Sequence, residues 1–183
     1  MKNKLVWHEI VLFGVAMLLI GWKLLLRNIS FDLSLMWWGL GLVVGFLFIF
    51  LDRFVYSLGT HPTESLSMKV NDLFKHGKVY EAVSMLVNER KEQRELVMRS
   101  FLFYGVWVIL ALFTMTTSFN SFARGLMLGI GTHLTFDLVT DYIYDKSRFD
   151  LWFWQIKRQV GNEEKKWFFG LAVLFYVLLA GGL

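Results

Sequence analysis

The sequence predicts an all-α, polytopic integral membrane protein of about five transmembrane helices, with a cytosolic helical hairpin and an interfacial amphipathic helix. Three observations predict it. Hydrophobic residues make up 56% of the 183 positions and aromatics 17%, with a mean hydropathy of +0.49, well outside soluble composition. Apolar runs long enough to cross about 30 Å of hydrocarbon recur along the chain. Proline occurs once, so little interrupts those runs as helices.

The elements follow in order within a single membrane domain over 1–183. A basic start, Met1 to Lys4, precedes a first span over 5–26. That run is longer than the apolar core of a signal peptide and has no small-x-small cleavage site before Lys23, so it reads as a retained helix. A second span over 31–54 carries Gly41 and Gly45, a small-xxx-small pair that invites close approach of another helix, and ends in Asp52-Arg53. Over 59–97 the composition turns polar. Thr60-His61-Pro62 followed by Glu64 reads as a helix start and His76-Gly77 as its stop, with Val70, Leu73 and Phe74 as the apolar stripe. A second hairpin helix from about Lys78 places Val79, Ala82, Val83, Leu86 and Val87 on one face. The charged run Glu89 to Glu95 is a solvated face or a docking surface for a cytosolic protein.

A third span covers 98–119, and the pattern is compatible with direct continuation of the hairpin helix into it. Its threonines Thr114, Thr116 and Thr117 can bond back to their own helix. The fourth span covers 122–145. The segment 147–160 puts Phe149, Trp152, Phe153 and Ile156 on one helical face, as in a helix lying in the interface plane. A fifth span covers 167–183.

The charges orient the spans. Of the 19 Lys and Arg, only Lys23, Arg27 and Arg124 fall on one side. The rest face the other, which is therefore cytoplasmic, with the N-terminus and hairpin inside and the C-terminus outside. This distribution accounts for the net charge of +4 and pI near 9.3. The lipid bilayer is the expected partner, and no nucleic acid is expected. Zero cysteines excludes disulfides and thiolate chemistry.

The fourth span is the informative one. His133, Asp137 and Asp141 stand four residues apart, offset by only about 40° and 80° around a helix axis, and so share a face. Running from outside to inside, the span puts His133 near mid-membrane and each Asp about 6 Å closer to the cytoplasm than the last. Intramembrane titratable groups cost about 2.5 to 3.5 kcal/mol each at the centre and point to function. His8 and Glu9 at the start of the first span, Asp52 at the end of the second, and His61 just beyond it reach the same layer.

Two explanations compete. In the structural one, Asp137 pairs with Arg53 and the boundary groups anchor the interface. In the chemical one, His133 and Asp137 hold a divalent metal, zinc or manganese in a set without thiolates, and His8, Asp52 or His61 complete the shell. Such an ion would lower the pKa of a bound water and make it a nucleophile. No HExxH, P-loop, GxSxG or dinucleotide-binding turn is present; His8-Glu9 lacks the second His.

The stretch Gly125-Leu-Met-Leu-Gly-Ile-Gly-Thr-His133-Leu-Thr-Phe-Asp137-Leu-Val-Thr140 resembles the late motif of the small bacterial membrane-bound, predicted metal-dependent hydrolases, the family that includes the LexA-regulated inner-membrane protein. The family pattern there is a Gly-rich helix with His, three residues, Asp, then Thr. His8 is similar to that family's N-terminal His. Asp52 stands where it has an Asp-rich motif, here one Asp, and Thr60-His61 where it has a paired-His motif, here one His without its Arg. The resemblance implies a divergent relative in the bacterial inner membrane that acts on a substrate at the cytoplasmic leaflet. It implies His133 and Asp137 as ligands or orienting groups, Asp52 and His61 as further ligands, and Asp141 or Glu9 as general base. Two other readings fit the same residues: a non-catalytic scaffold that recruits a cytosolic partner through its hairpin, and a transporter or proton relay through His133, Asp137 and Asp141.

Overall fold

The computed structural model describes residues 10–11, 14–18, 20–21, 33–89, 92–117 and 120–183. The described residues are helical and contain no strand. Helix α1 (Leu33–Phe48) leads through a turn into the short α2 (Leu51–Phe54) and a π-helical turn, Val55–Thr60, closed by His61 N–H donating to the Tyr56 carbonyl at 2.8 Å. Helices α3 (Ser65–Lys75) and α4 (Val79–Asn88) form the hairpin. Helix α5 (Phe101–Thr117) and the long α6 (Ser121–Tyr144) follow, then α7 (Lys146–Asp150) and α8 (Asn162–Ala180).

Helix α6 is the centre, with α1, α5, α7 and α8 packed around it. Glycine determines how close α1 comes. A Cβ on Gly41 or Gly45 would overlap the carbonyls of Phe122 and Leu126, and one on Gly125 or Gly129 would overlap those of Trp38 and Leu42. The two helices thus interlock through paired small-xxx-small motifs, backbone against backbone. On another face of α6, Gly131 makes room for the Trp107 ring of α5. Interhelical hydrogen bonds add register: Tyr104 shares one with Thr135 at 2.7 Å and donates to the Ala172 carbonyl at 3.0 Å, while Thr132 and Tyr176 lie 2.9 Å apart.

The hairpin has its own small core of Leu66, Val70, Ala82 and Leu86, against which Phe54 packs. The turn between its helices is made by Gly77 at φ 72°, a conformation that favours glycine. Its last turn is tied to the bundle, because Arg53 donates to the carbonyls of Leu86 and Val87 at 2.9 and 3.2 Å and Gln93 to Leu86 at 2.8 Å. These are terminal carbonyls of α4, where a cation is favoured.

Several expectations change. Among the described residues only Leu33–Thr60, near the N-terminus, is long and apolar enough to cross a membrane, and Phe101–Thr116 is apolar but shorter, so the expected five spans are not supported. Helices α6 and α8 lie where the fourth and fifth spans were expected. Yet α6 is diluted by glycines, threonines and titratable groups, and α8 begins with Glu163, Glu164, Lys165 and Lys166, so its apolar part starts only at Trp167. The first span lies largely outside the described residues, although Ala16 and Ile20 pack on the core. The hairpin does not run on into the third span: the chain is irregular from Gln93 to Ser100, and α5 starts at Phe101 with Ser100 Oγ accepting from Phe103 N–H at 3.2 Å. The single interfacial helix over 147–160 is replaced by α7, a 3₁₀ turn over Leu151–Phe153, and irregular chain. Phe149, Trp152 and Phe153 bury in the protein core, because an apolar face at helical spacing fits a protein interior as well as a membrane surface.

Candidate functional site: a closed polar layer

His133 and Asp137 are both wholly buried on α6, with His133 Nε2 3.3 Å from Asp137 Oδ2. The third member is Arg99, 4% exposed, whose Nε lies 2.5 Å from the same Asp137 oxygen and whose guanidinium lies 3.4 Å from His133 Nε2. His133 Nδ1 lies 2.7 Å from the Phe46 carbonyl of α1, so as the donor there it presents Nε2 as an acceptor to Arg99. The rings of Phe46 and Phe50 pack on the imidazole at 4.6 and 4.8 Å between centroids. The pairing thus joins α1, the segment before α5, and α6 in an apolar surround.

Asp52 holds the segment that carries Arg99. It is 2% exposed, and its carboxylate accepts from the backbone N–H groups of Val97 and Met98 at 3.2 and 2.9 Å, the two residues before Arg99. The carboxylate is therefore a positioning group for Arg99. Arg53, its neighbour, donates to the α4 carbonyls, and Asp137 meets Arg99, where the structural explanation had paired it with Arg53.

Asp141, one turn beyond Asp137, accepts from Trp152 Nε1 at 3.1 Å and lies 4.0 Å from Arg148. Between it and Arg99 is a cleft of about 10 Å³, lined also by Gln93 and Trp152, room for about one water. His61 is elsewhere: its ring stacks on Tyr56 at 4.4 Å and its Nε2 lies 3.4 Å from Glu95. His8 and Glu9 lie outside the described residues.

The site residues therefore divide. His133 and Asp137 come together, Asp52 and Asp141 flank them through Arg99, Arg148 and Trp152, and His61 bonds at the hairpin junction. Among the described residues no three His, Cys, Asp or Glu side chains are grouped to hold a metal ion. A guanidinium stands against both the carboxylate and the imidazole. Arg99 is the residue that sequence reasoning missed. It had been counted only among the cytoplasmic-side Lys and Arg, although a charge inside the predicted third span is itself a signal of a buried partner.

A scan against protein-family models returns no match to this chain. Searches of curated proteins and of solved structures return none either.

Proposed function

We propose that the chain is a multi-span helical membrane protein that works as a non-catalytic scaffold, presenting the 59–97 hairpin to a partner at the cytoplasmic face. The observation that carries this reading is the Arg99–Asp137–His133 pairing, in which the chain supplies its own cation to the carboxylate and imidazole of the polar layer. Such a network fixes how α1, α5 and α6 meet, and a buried set of this kind specifies arrangement more than it adds stability.

The membrane placement is supported by large apolar residues left exposed on several helices. Arg99, His133 and Asp137 are buried, whereas Met36, Ile109, Phe113, Val177 and Leu178 are each 60% or more exposed on α1, α5 and α8. Exposed apolar surface spread over several helices around a core that also holds a buried charge network suits lipid. The docking role is supported by the hairpin's attachment through Arg53 and Gln93, and by Met68, Val79 and Tyr80, which it leaves exposed.

The test is photo-crosslinking from positions 68, 79 and 80 in cells, followed by titration of the purified partner onto the detergent-solubilised chain. Saturable binding that Val79→Asp abolishes supports the scaffold; adducts to lipid alone from all three positions would sink it. A tag on the N-terminus reached only from the cytoplasmic side is expected. The metal-dependent hydrolase stays as a second reading on one observation, the 3.3 Å approach of His133 to Asp137 in a buried site. It requires Arg99 to withdraw.

A further inference from the structure

We infer that the cleft between the 147–160 segment and the first turn of α8 binds the phosphate headgroup of an anionic phospholipid. The inference rests on the membrane placement proposed above, and three features of the cleft point to this ligand.

The first is shape and lining. The cleft has a volume of about 400 Å³, within the size range of small-ligand sites. Phe153, Ile156 and Val160 line it together with Asp150, Arg158, Gln159 and Lys165. Apolar side chains beside two cationic ones match an amphiphile better than a free anion.

The second is charge. From residue 146 to 166 the chain carries six cations, Lys146, Arg148, Lys157, Arg158, Lys165 and Lys166, against three carboxylates. Within the cleft lining, Lys165 Nζ bonds Asp150 at 2.6 Å, and Arg158 forks onto Glu164 at 2.8 and 2.6 Å. Exposed ion pairs of this kind are weak. Both cations are multidentate donors, so a phosphate can share or replace these carboxylates on them.

The third is depth. Trp167, 70% exposed, follows Lys166 directly, and the apolar outer face of α8 begins there with Leu171 and Leu174. Tyr144, 72% exposed, ends α6 at the same side. Exposed Trp and Tyr mark the headgroup level of a bilayer, so the cleft opens where lipid phosphates lie and a basic pocket there recognises them.

The test uses the full chain in detergent, with dioleoyl phosphatidylglycerol and dioleoyl phosphatidylcholine as probes and retention scored by native mass spectrometry. Phosphatidylglycerol is expected to be retained over phosphatidylcholine. Removing both cations in the Arg158→Gln, Lys165→Gln double variant should weaken that retention about thirtyfold, as for two cations at a headgroup surface. The Lys69→Gln, Lys75→Gln variant removes the same charge from the hairpin and should not. Val160→Trp fills the cleft with both cations intact and should also lower retention. Equal losses in the two double variants, or no loss in Val160→Trp, would overturn the site. Displacement of the lipid by excess glycerol 1-phosphate at its own affinity would reassign the cleft to a soluble phosphate and overturn the lipid. Release of the chain from membranes by alkaline carbonate would defeat the membrane placement itself. A chain that resists extraction yet shows no lipid preference defeats the headgroup site alone.

Discussion

Replacing Arg99 by Met removes the guanidinium that meets Asp137 in a site with no exposure. Arg99 and Asp137 approach to 2.5 Å, and both are buried. Breaking such a pair from one side costs about 3–5 kcal/mol, whereas replacing both partners with apolar residues of similar volume is close to neutral. Arg99→Met should therefore lower stability by about 3–5 kcal/mol, and the Arg99→Met, Asp137→Leu double variant should recover most of the loss. For a chain of this length the single variant should melt about 10 °C below wild type. Intrinsic fluorescence in detergent reads this directly, since the chain has 8 tryptophans. A double variant no more stable than Arg99→Met would refute the reasoning, because it would mean that Asp137 contributes through something other than Arg99.

Three further outcomes are expected. Gly41→Leu should separate α1 from α6 and cost about 1–3 kcal/mol or more. Gly39→Ala, two residues away on a face with nothing within 4 Å, should be neutral or slightly stabilising; melting of the pair side by side decides it, and equal effects would mean that the glycine contact is unimportant. Arg53→Met should free the end of α4 and raise amide hydrogen exchange over 79–88 while leaving α6 protected, since charge-assisted hydrogen bonds contribute about 1.5–3 kcal/mol; unchanged exchange would mean that the hairpin is held by its apolar contacts alone. At the start of α8, the Arg158 guanidinium and then the Gly161 N–H hold Glu164 down to about 2 from its ordinary 4.5. A depressed carboxylate stabilises above its unfolded pKa, so the contribution is present above about 4.5 and is lost as pH falls toward 2. NMR titration of the Glu164 carboxyl checks this, and a midpoint near 4.5 would contradict the pairing.

Much of the architecture was legible because periodicity and turn chemistry are local. The first hairpin helix ends where His76-Gly77 puts it, although it begins at Ser65 with Pro62 in the turn before it and not in its first turn. Gly41 and Gly45 announced a close helix, as found. They did not say which one, since a small-xxx-small pair records that a neighbour approaches and not its identity. The partner glycines, Gly125 and Gly129, had been read as part of a chemical motif, although their work is also steric.

The candidate site was legible in half. Four-residue spacing was enough to bring His133 and Asp137 together in the interior. Spacing within one helix carries no information about what another element brings to it. Arg99 arrives from an irregular segment 34 residues earlier than His133, positioned by the Asp52 carboxylate, a long-range juxtaposition that no local pattern encodes. The aromatic run 149–156 failed for a related reason: its periodicity reports an apolar face, and the bundle, rather than the lipid surface, covers most of it.

The central claim is that the polar layer is closed by the chain's own arginine. Its most direct test is elemental analysis of the detergent-purified chain after incubation with zinc and with manganese, on wild type beside His133→Ala and Asp137→Ala. The account predicts substoichiometric metal in all three proteins, with only the melting temperature falling in the variants. Stoichiometric metal in wild type that disappears in both variants would contradict it.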